Sequence, residues 1–449
     1  MHGDCRGFAG SRWLVWAMCG LIFALIGVGS LRAEQTDPAL AERIAPLVRQ
    51  LNADRAARRD AAEQALLALA PRDNAAACDA FLRQLPKPAE QMPDEVRLRL
   101  ARIRRQIETR QARLAVTASK LSLNAQGMDL DQVLDQVYAQ TGNRLTDYRE
   151  QFGQDAQPRA VTAKIVDQDF WPAIDKLLDA AQMDLYPYSG KESLAVVQRE
   201  ASAAPRARRA SYAGPFRVEA VNVVARRALR TPDQSGMQIE LEIAWEPRLR
   251  PIALSQPAGA IEIIGDDGSK IPLANPQAVL DVEIQPGSHA TELTIPLGLP
   301  PRSVLKLSQF KGQLSALVPG RIVEFRFSHL DQGQRVEQQR GGVTVIVDSV
   351  RKNQALWEVH MRLQVHGDEA ALESHRGWVF QNLCYLLNSN GEVVDHAGYE
   401  TTLQAEHEIG LAYFFELPDD IAGYTWVYRT PAAIVRVPVS YELTDIALP

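Results

Sequence analysis

The sequence predicts a multidomain α+β chain: a short helical-hairpin region, a duplicated βαβ module, then two tandem antiparallel β-sandwiches, Ig-like in general form. Three observations carry this. Apolar residues recur at helical spacing between residues 37 and 113. The pattern at 121–145 returns without a gap at 161–185. Beyond residue 215, apolar and polar residues alternate in short runs separated by turn residues. The expected segments are 1–33 (export signal or anchor), 34–113 (helical), 114–200 (βαβ module), 201–214 (linker), 215–331 and 332–449 (first and second sandwich).

The bulk properties agree with such a chain. A length of 449 residues exceeds one ordinary domain, and a hydrophobic share of 46% excludes wholesale disorder. The net charge of -6 argues against a nucleic-acid-coating protein, so no nucleic-acid partner is expected. Four cysteines exclude a disulfide framework or a multi-cysteine metal protein.

Arg6 and Arg12 precede an uncharged apolar run from Trp13 to Gly29, and small residues follow at Ser30 and Ala33. This order describes a secretory signal, with cleavage after Ala33 or Ser30. As a helix the run would span about 26 Å, a little short of the bilayer core, so an inner-membrane anchor over 13–29 is the alternative. Either way the remainder is expected outside the cytoplasm, in the periplasm or on the cell surface. Removing 1–33 would shift the net charge from -6 to -8 and leave only Cys78 and Cys384, both expected as buried free thiols.

Asp37-Pro38 reads as a helix start, and Leu40, Ile44, Leu47, Val48 and Leu51 follow on one face. A second helix carries Ala62, Leu66, Leu67 and Leu69, and Asp73 is placed to cap a third with Ala77, Phe81 and Leu85 inward. Asp94 opens a longer helix with Val96, Leu100, Ile103 and Ile107. Two hairpins of this size are HEAT-like. The last helix bears Arg97, Arg99, Arg102, Arg104, Arg105, Arg110 and Arg113, which reads either as a solvated polar face or as contact with an anionic surface.

In the repeated unit, Asp129 and Asp169 sit at N-cap positions. Leu130, Leu134, Val137 and Tyr138 match Phe170, Ile174, Leu177 and Leu178 on one helical face, and Gly142 stands where the first helix should end. Strands are expected around 119–123, 143–147, 161–166 and 193–198, in one small sheet. On these residues, 119–199 resemble the short N-terminal domain of secretins and TonB-dependent receptors. The resemblance implies an exported, non-catalytic interaction module; nothing downstream resembles a secretin pore or a receptor barrel.

The stretch 201–213 reads as a solvated Ala/Arg/Pro linker that a protease would cut first near Arg206–Arg209. Then Met237, Ile239, Leu241, Ile243 and Trp245 alternate with polar residues, as do Trp357, Val359, Met361, Leu363 and Val365. The turns Gly265–Gly268 and Asn388–Gly391 recur at a similar offset. Trp378, Asn382, Tyr385, Asn390-Gly391, Gly398-Tyr399-Glu400-Thr401, Tyr428-Arg429-Thr430-Pro431 and Leu448-Pro449 together resemble uncharacterised exported proteins of planctomycete bacteria, a family that lends no function.

No Walker motif, nucleophile elbow or HExxH occurs. His360 and His366 share a strand face but stand too far apart for one metal. Glu406-His407-Glu408 divides its side chains between two faces. Asp266-Asp267-Gly268 lacks the glutamate of a calcium loop, and Cys384 with His375 is no nucleophile motif. No catalytic residue, cofactor or metal ligand is therefore assigned. The expected function is a non-catalytic exported envelope scaffold or adaptor that binds envelope proteins or cell-wall polymer. The alternatives are a periplasmic hydrolase using Asp395, Glu400, Glu406 and Glu408, and a carbohydrate-binding protein using exposed aromatic residues of the sandwiches.

Overall fold

A computed structural model describes residues 38–449 apart from 90, 286, 367–376, 406 and 419. Residues 1–33, expected as an export signal or anchor, and Asp37, His375 and Glu406 lie outside the described residues. No described helix is long and apolar enough to cross a membrane.

Four helices come first: α1 (Pro38–Gln50), α2 (Ala56–Leu69), α3 (Ala75–Gln84) and α4 (Asp94–Ala115). The apolar faces expected from the 3.6 spacing meet in one core of Ile44, Leu66, Phe81, Leu100 and Ile103. The cap of α3 is Asn74 rather than Asp73: the Asn74 side chain accepts from Ala77 N at 3.0 Å.

Next come β1 (Lys120–Asp129), α5 (Leu130–Thr141), β2 (Leu145–Asp147), β3 (Ala160–Asp169), α6 (Phe170–Ala181), β4 (Met183–Tyr186) and β5 (Leu194–Gln198). Both β1 and β3 run longer than the alternation suggests. The strands form two sheets instead of the one expected: an antiparallel β1–β3 pair and a β2-β5-β4 sheet. In each unit the first strand pairs with its copy, and the short strand after each helix joins β5 instead. Both α5 and α6 lay their apolar faces into one shared core, except that Tyr138, the counterpart of the buried Leu178, is half-exposed. Asp129 caps α5 by accepting from Asp131 N at 3.0 Å. Asp169 makes no cap bond and instead pairs with Lys120 at 2.7 Å. Gly142 ends α5 at φ 71°, and its equivalent Gln182 ends α6 in the same left-handed conformation at φ 57°.

The remainder is antiparallel sheet. Its strands are β6 (Ala210–Ala213), β7 (Phe216–Arg226), β8 (Gly236–Trp245), β9 (Ala253–Pro257), β10 (Ile261–Gly265), β11 (Val279–Glu283), β12 (Ala290–Leu297) and β13 (Lys306–Phe327). They continue as β14 (Val336–Arg340), β15 (Val343–Asn353), β16 (Leu356–Val365), the one-turn helix α7 (Gly377–Phe380), β17 (Leu383–Leu387), β18 (Val393–Asp395), β19 (Gly398–Gln404), β20 (Glu408–Glu416), β21 (Thr425–Leu443) and β22 (Ile446–Ala447). One sheet has the order β12-β8-β7-β6 and a second β14-β15-β16-β20-β19, so β8 and β16, the strongest alternating runs, are both interior strands. A third sheet faces both. Its spine is the antiparallel pair β13 and β21, in register from Phe310↔Leu443 to Phe327↔Trp426.

That pair joins the two β-units in a way that a division at 331/332 misses. The early part of β13 (Phe310, Leu314) and the late part of β21 (Val439, Tyr441) enter the first core with Ile239, Leu241 and Ile243 of β8. The late part of β13 (Val323, Phe325) and the early part of β21 (Trp426, Tyr428) enter the second core with Val359 and Met361 of β16. Each unit thus borrows half of its long strand pair from the other half of the sequence. Neither core is complete without residues from both, which favours cooperative folding of the two units.

Residues 201–214 are not a free linker. Arg206–Arg208 form a single 3-10 turn, and Ala210–Ala213 are β6. Arg206 is buried because its guanidinium meets Asp175 at 2.8 Å, while Arg217 Nε reaches the other Asp175 oxygen at 2.8 Å. Tyr212 OH donates to that same oxygen at 2.7 Å. Two arginines of the segment that reads as basic and solvated, Arg206 and Arg209, thus neutralise acids of the preceding module, while Arg208 is exposed.

A basic cleft as the candidate functional site

The arginines of α4 divide by task. Arg99 joins Glu63 at 2.6 Å and Glu95 at 2.6 Å. Arg104 donates to the carbonyls of Leu82 (2.9 Å) and Leu85 (2.7 Å) at the end of α3. Arg110 donates to those of Leu67 (3.3 Å) and Ala70 (3.2 Å) at the end of α2. Helix C-termini leave orphan carbonyls with partial negative charge, so a guanidinium there satisfies both needs. These arginines hold the helical region together. Arg105 and Arg113 are different: both are exposed and have no hydrogen-bond or ion-pair partner among the described residues.

Those two arginines face a cleft between α4 and the second β-unit. One lobe of about 920 Å³ is lined by Lys87, Arg97, Arg104 and Arg105 on the helical side and by Arg321, Arg326 and Arg340 on the strand side. A second lobe of about 440 Å³ shares Arg105, Glu108, Gly341 and Gly342 and adds Arg113, His366 and Arg436. The lining carboxylates are already engaged: Glu108 by Arg321, Glu324 by Arg326 at 2.7 Å, and Glu337 by Arg335 at 3.7 Å. The uncompensated charge is positive. Burial holds the Arg104 pKa below its ordinary value, against the pull of Glu108 and with a smaller contribution from Arg321. Burial and then Arg105 likewise push His366 down.

Three features fix the walls. A Cβ at Gly320 would lie 2.5 Å from the Ala112 side chain, so α4 packs directly on the backbone of β13 where the strand passes from one unit to the other. Arg321 reaches from that point to Glu108 on α4. Gly341 and Gly342, at φ 59° and 79°, form the two-residue hairpin between β14 and β15. Gly341 O accepts from Ala433 N at 2.8 Å, which holds the hairpin against β21. Arg340 then donates to Glu324 O at 2.8 Å, and Gln338 donates to Arg326 O at 2.7 Å. Guanidinium groups on both walls suit planar, forked recognition of carboxylate or phosphate.

The other residues singled out in the sequence do not converge. Asp395 lies on β18 and Glu400 on β19, both exposed and in different sheets. Glu408 is held by Arg362 at 2.8 Å, which also grips Asp348 at 2.6 Å. His360 Nε2 lies 2.8 Å from Glu358, and His366 Nε2 lies 2.8 Å from Thr344 Oγ1. Among the described residues, no group of three His, Cys, Asp or Glu is placed to hold a metal. Cys384 is buried and free, accepts from Trp426 Nε1 at 3.0 Å, and has its thiol pKa raised by burial. Cys78 is buried and free as well. Asp267 holds its own turn by accepting from Ser269 N at 2.8 Å.

The strand-side arginines of the cleft carry no sequence signal that separates them from other surface arginines. The Gly341-Gly342 pair is the one local sign that two surfaces come close there. No family model matches the chain, and no curated protein matches it.

Proposed function

We propose that the chain is a non-catalytic, exported envelope adaptor that grips an anionic segment of an envelope protein or cell-wall polymer in the basic cleft. The observation that carries this reading is a surplus of cations, Lys87, Arg105 and Arg113, that have no hydrogen-bond or ion-pair partner among the described residues, on a wall whose other arginines are occupied. A concave site of this size suits a chain-like anion rather than a flat bilayer. On this reading, 119–199 form a secretin-N-like docking module, and the β-units are duplicated Ig-like sandwiches. Their matching order, with β8 between β7 and β12 and β16 between β15 and β20, supports the duplication.

The test is fluorescence anisotropy with labelled poly-L-glutamate, alongside crosslinking in the native envelope. The wild type should bind, with affinity that falls as salt rises. The triple variant Lys87→Glu, Arg105→Glu, Arg113→Glu should bind at least about tenfold more weakly and lose its crosslinked partner; tenfold corresponds to about 1.4 kcal/mol. Among the described residues these three side chains have no hydrogen-bond or ion-pair partner, so the variant should stay folded, its melting temperature lowered only by the loss of Arg113 at the C-terminal turn of α4. Equal binding and equal crosslinking by both proteins would overturn the proposal.

A further inference from the structure

A second cavity lies at the seam between the two β-units, beyond Glu324 of the cleft. Its volume is about 300 Å³. Trp245, Leu249 and Ile252 of the first unit meet Trp378 and Leu383 of the second across Ile322 of β13. Trp245 and Trp378 are buried in the walls, whereas Ile322 and Leu383 are 51% and 59% exposed. Two large aliphatic side chains thus stand open to solvent inside a concavity, where a ligand could remove both from water at once.

The charged lining is of one sign. Arg250 and Arg429 border the cavity, and among the described residues no carboxylate lines it. Both arginines are loosely held. Arg429 stands 3.8 Å from Glu324, and Arg250 stands 3.2 Å from a Glu192 side chain that is 88% exposed. The neutral polar side chains of the lining are partly committed: Ser288 Oγ donates to Gln285 O at 2.7 Å, and the Asn382 amide donates to Tyr428 OH (2.8 Å) and Thr430 Oγ1 (2.9 Å). At roughly 30 Å³ per small group, the cavity holds about ten heavy atoms.

We propose that this seam binds a single-chain amphiphilic carboxylate, its aliphatic tail against Ile322, Leu383 and Trp245 and its head group answered by Arg429. A medium-chain fatty acid fits the volume, the apolar lining and the single sign of charge. The site bridges the two units, so its occupant would also clamp them together.

The probe is decanoate, titrated into the full chain below its micelle concentration and followed by calorimetry and by the fluorescence of Trp245 and Trp378. One saturable site is expected. Arg429→Gln should weaken decanoate about tenfold and leave decanol unchanged. Ile322→Trp should abolish binding of both, because the larger side chain occupies the tail space from an exposed position. If that variant melts early, Leu383→Trp serves the same purpose from the opposite wall. The triple variant of the basic cleft should bind decanoate like the wild type. Absence of saturable binding, decanoate binding that survives both tryptophan substitutions, or equal loss of decanol and decanoate in Arg429→Gln would each overturn the assignment.

Discussion

Asn143 Nδ2 donates to Glu246 Oε2 at 2.8 Å, across 103 positions of the chain and from the buried base of the βαβ module to the end of β8. The Glu246 carboxylate also accepts from Ser119 N (2.9 Å), Ser119 Oγ (2.7 Å) and Arg248 Nε (2.7 Å). Asn143 returns the contact by accepting from Arg248 N at 3.0 Å. Nearby, Trp171 Nε1 donates to Pro215 O at 2.9 Å. The module is therefore joined to the first β-unit by a network of buried and part-buried polar contacts centred on the buried Glu246 carboxylate.

Replacing Glu246 by Ala should strand Asn143 and Ser119 without their acceptor and cost about 3 kcal/mol. Urea unfolding is the measure. Glu246→Gln, which keeps one acceptor, should lose less, and equal losses for the two variants would argue against the geometry.

The Asp175 cluster predicts an acid limit. Burial pushes the Asp175 pKa up, but Arg206 and Arg217 outweigh it and hold the carboxyl below its ordinary value. Burial likewise opposes and Arg206 overcomes at Asp184. The bonds from His360, Asn353 and Arg351 lower Glu358 to about 2. A lowered folded pKa gives stability that is complete above the unfolded value and is lost as pH falls through the folded one. The melting temperature should therefore drop below about pH 4. Asp175→Asn should be less stable at pH 7 and show a shallower acid slope; an unchanged slope would remove Asp175 from the cause.

Glu242 runs the other way. Burial raises its carboxyl pKa, with Glu219 adding to this against the pull of Arg217. Its contribution to stability is thus present below the unfolded value and lost as pH rises through the folded one. Glu242→Gln should raise the melting temperature at pH 7 and lose that advantage at pH 4, a comparison that thermal scans at the two pH values decide.

The left-handed end of α6 offers a stabilising change. Gln182 is exposed and at φ 57°, the place that Gly142 occupies after α5. Gln182→Gly should add about 0.5–1 kcal/mol, since glycine adopts that conformation without a Cβ clash. Gly142→Ala should lose a similar amount by chemical denaturation.

Proteolysis tests the linker directly. Arg206 is only 4% exposed and bound to Asp175, so trypsin should spare it. Within 200–240 the first cuts should fall at the exposed Arg227 and Arg230 between β7 and β8, and at Arg226 at the end of β7. Mass spectrometry of the early fragments distinguishes the two sites.

Local order was legible from residue spacing. The α4 face of Val96, Leu100, Ile103 and Ile107, the inward side of β8, the Asp129 cap and the Gly142 terminus all follow from interactions within a few residues. Those interactions leave a period or a cap in the chain that a reader can recognise. Periodicity reports that a face is buried, but not against what. Only the tertiary structure decided that β13 and β21 each serve two cores, that Arg206 turns inward to Asp175, and that Arg105 and Arg340 share one cleft. The reason is physical: an ion pair or a strand pairing between residues far apart depends on distance in space, and a guanidinium has the same composition whether it meets a carboxylate, a helix end or water.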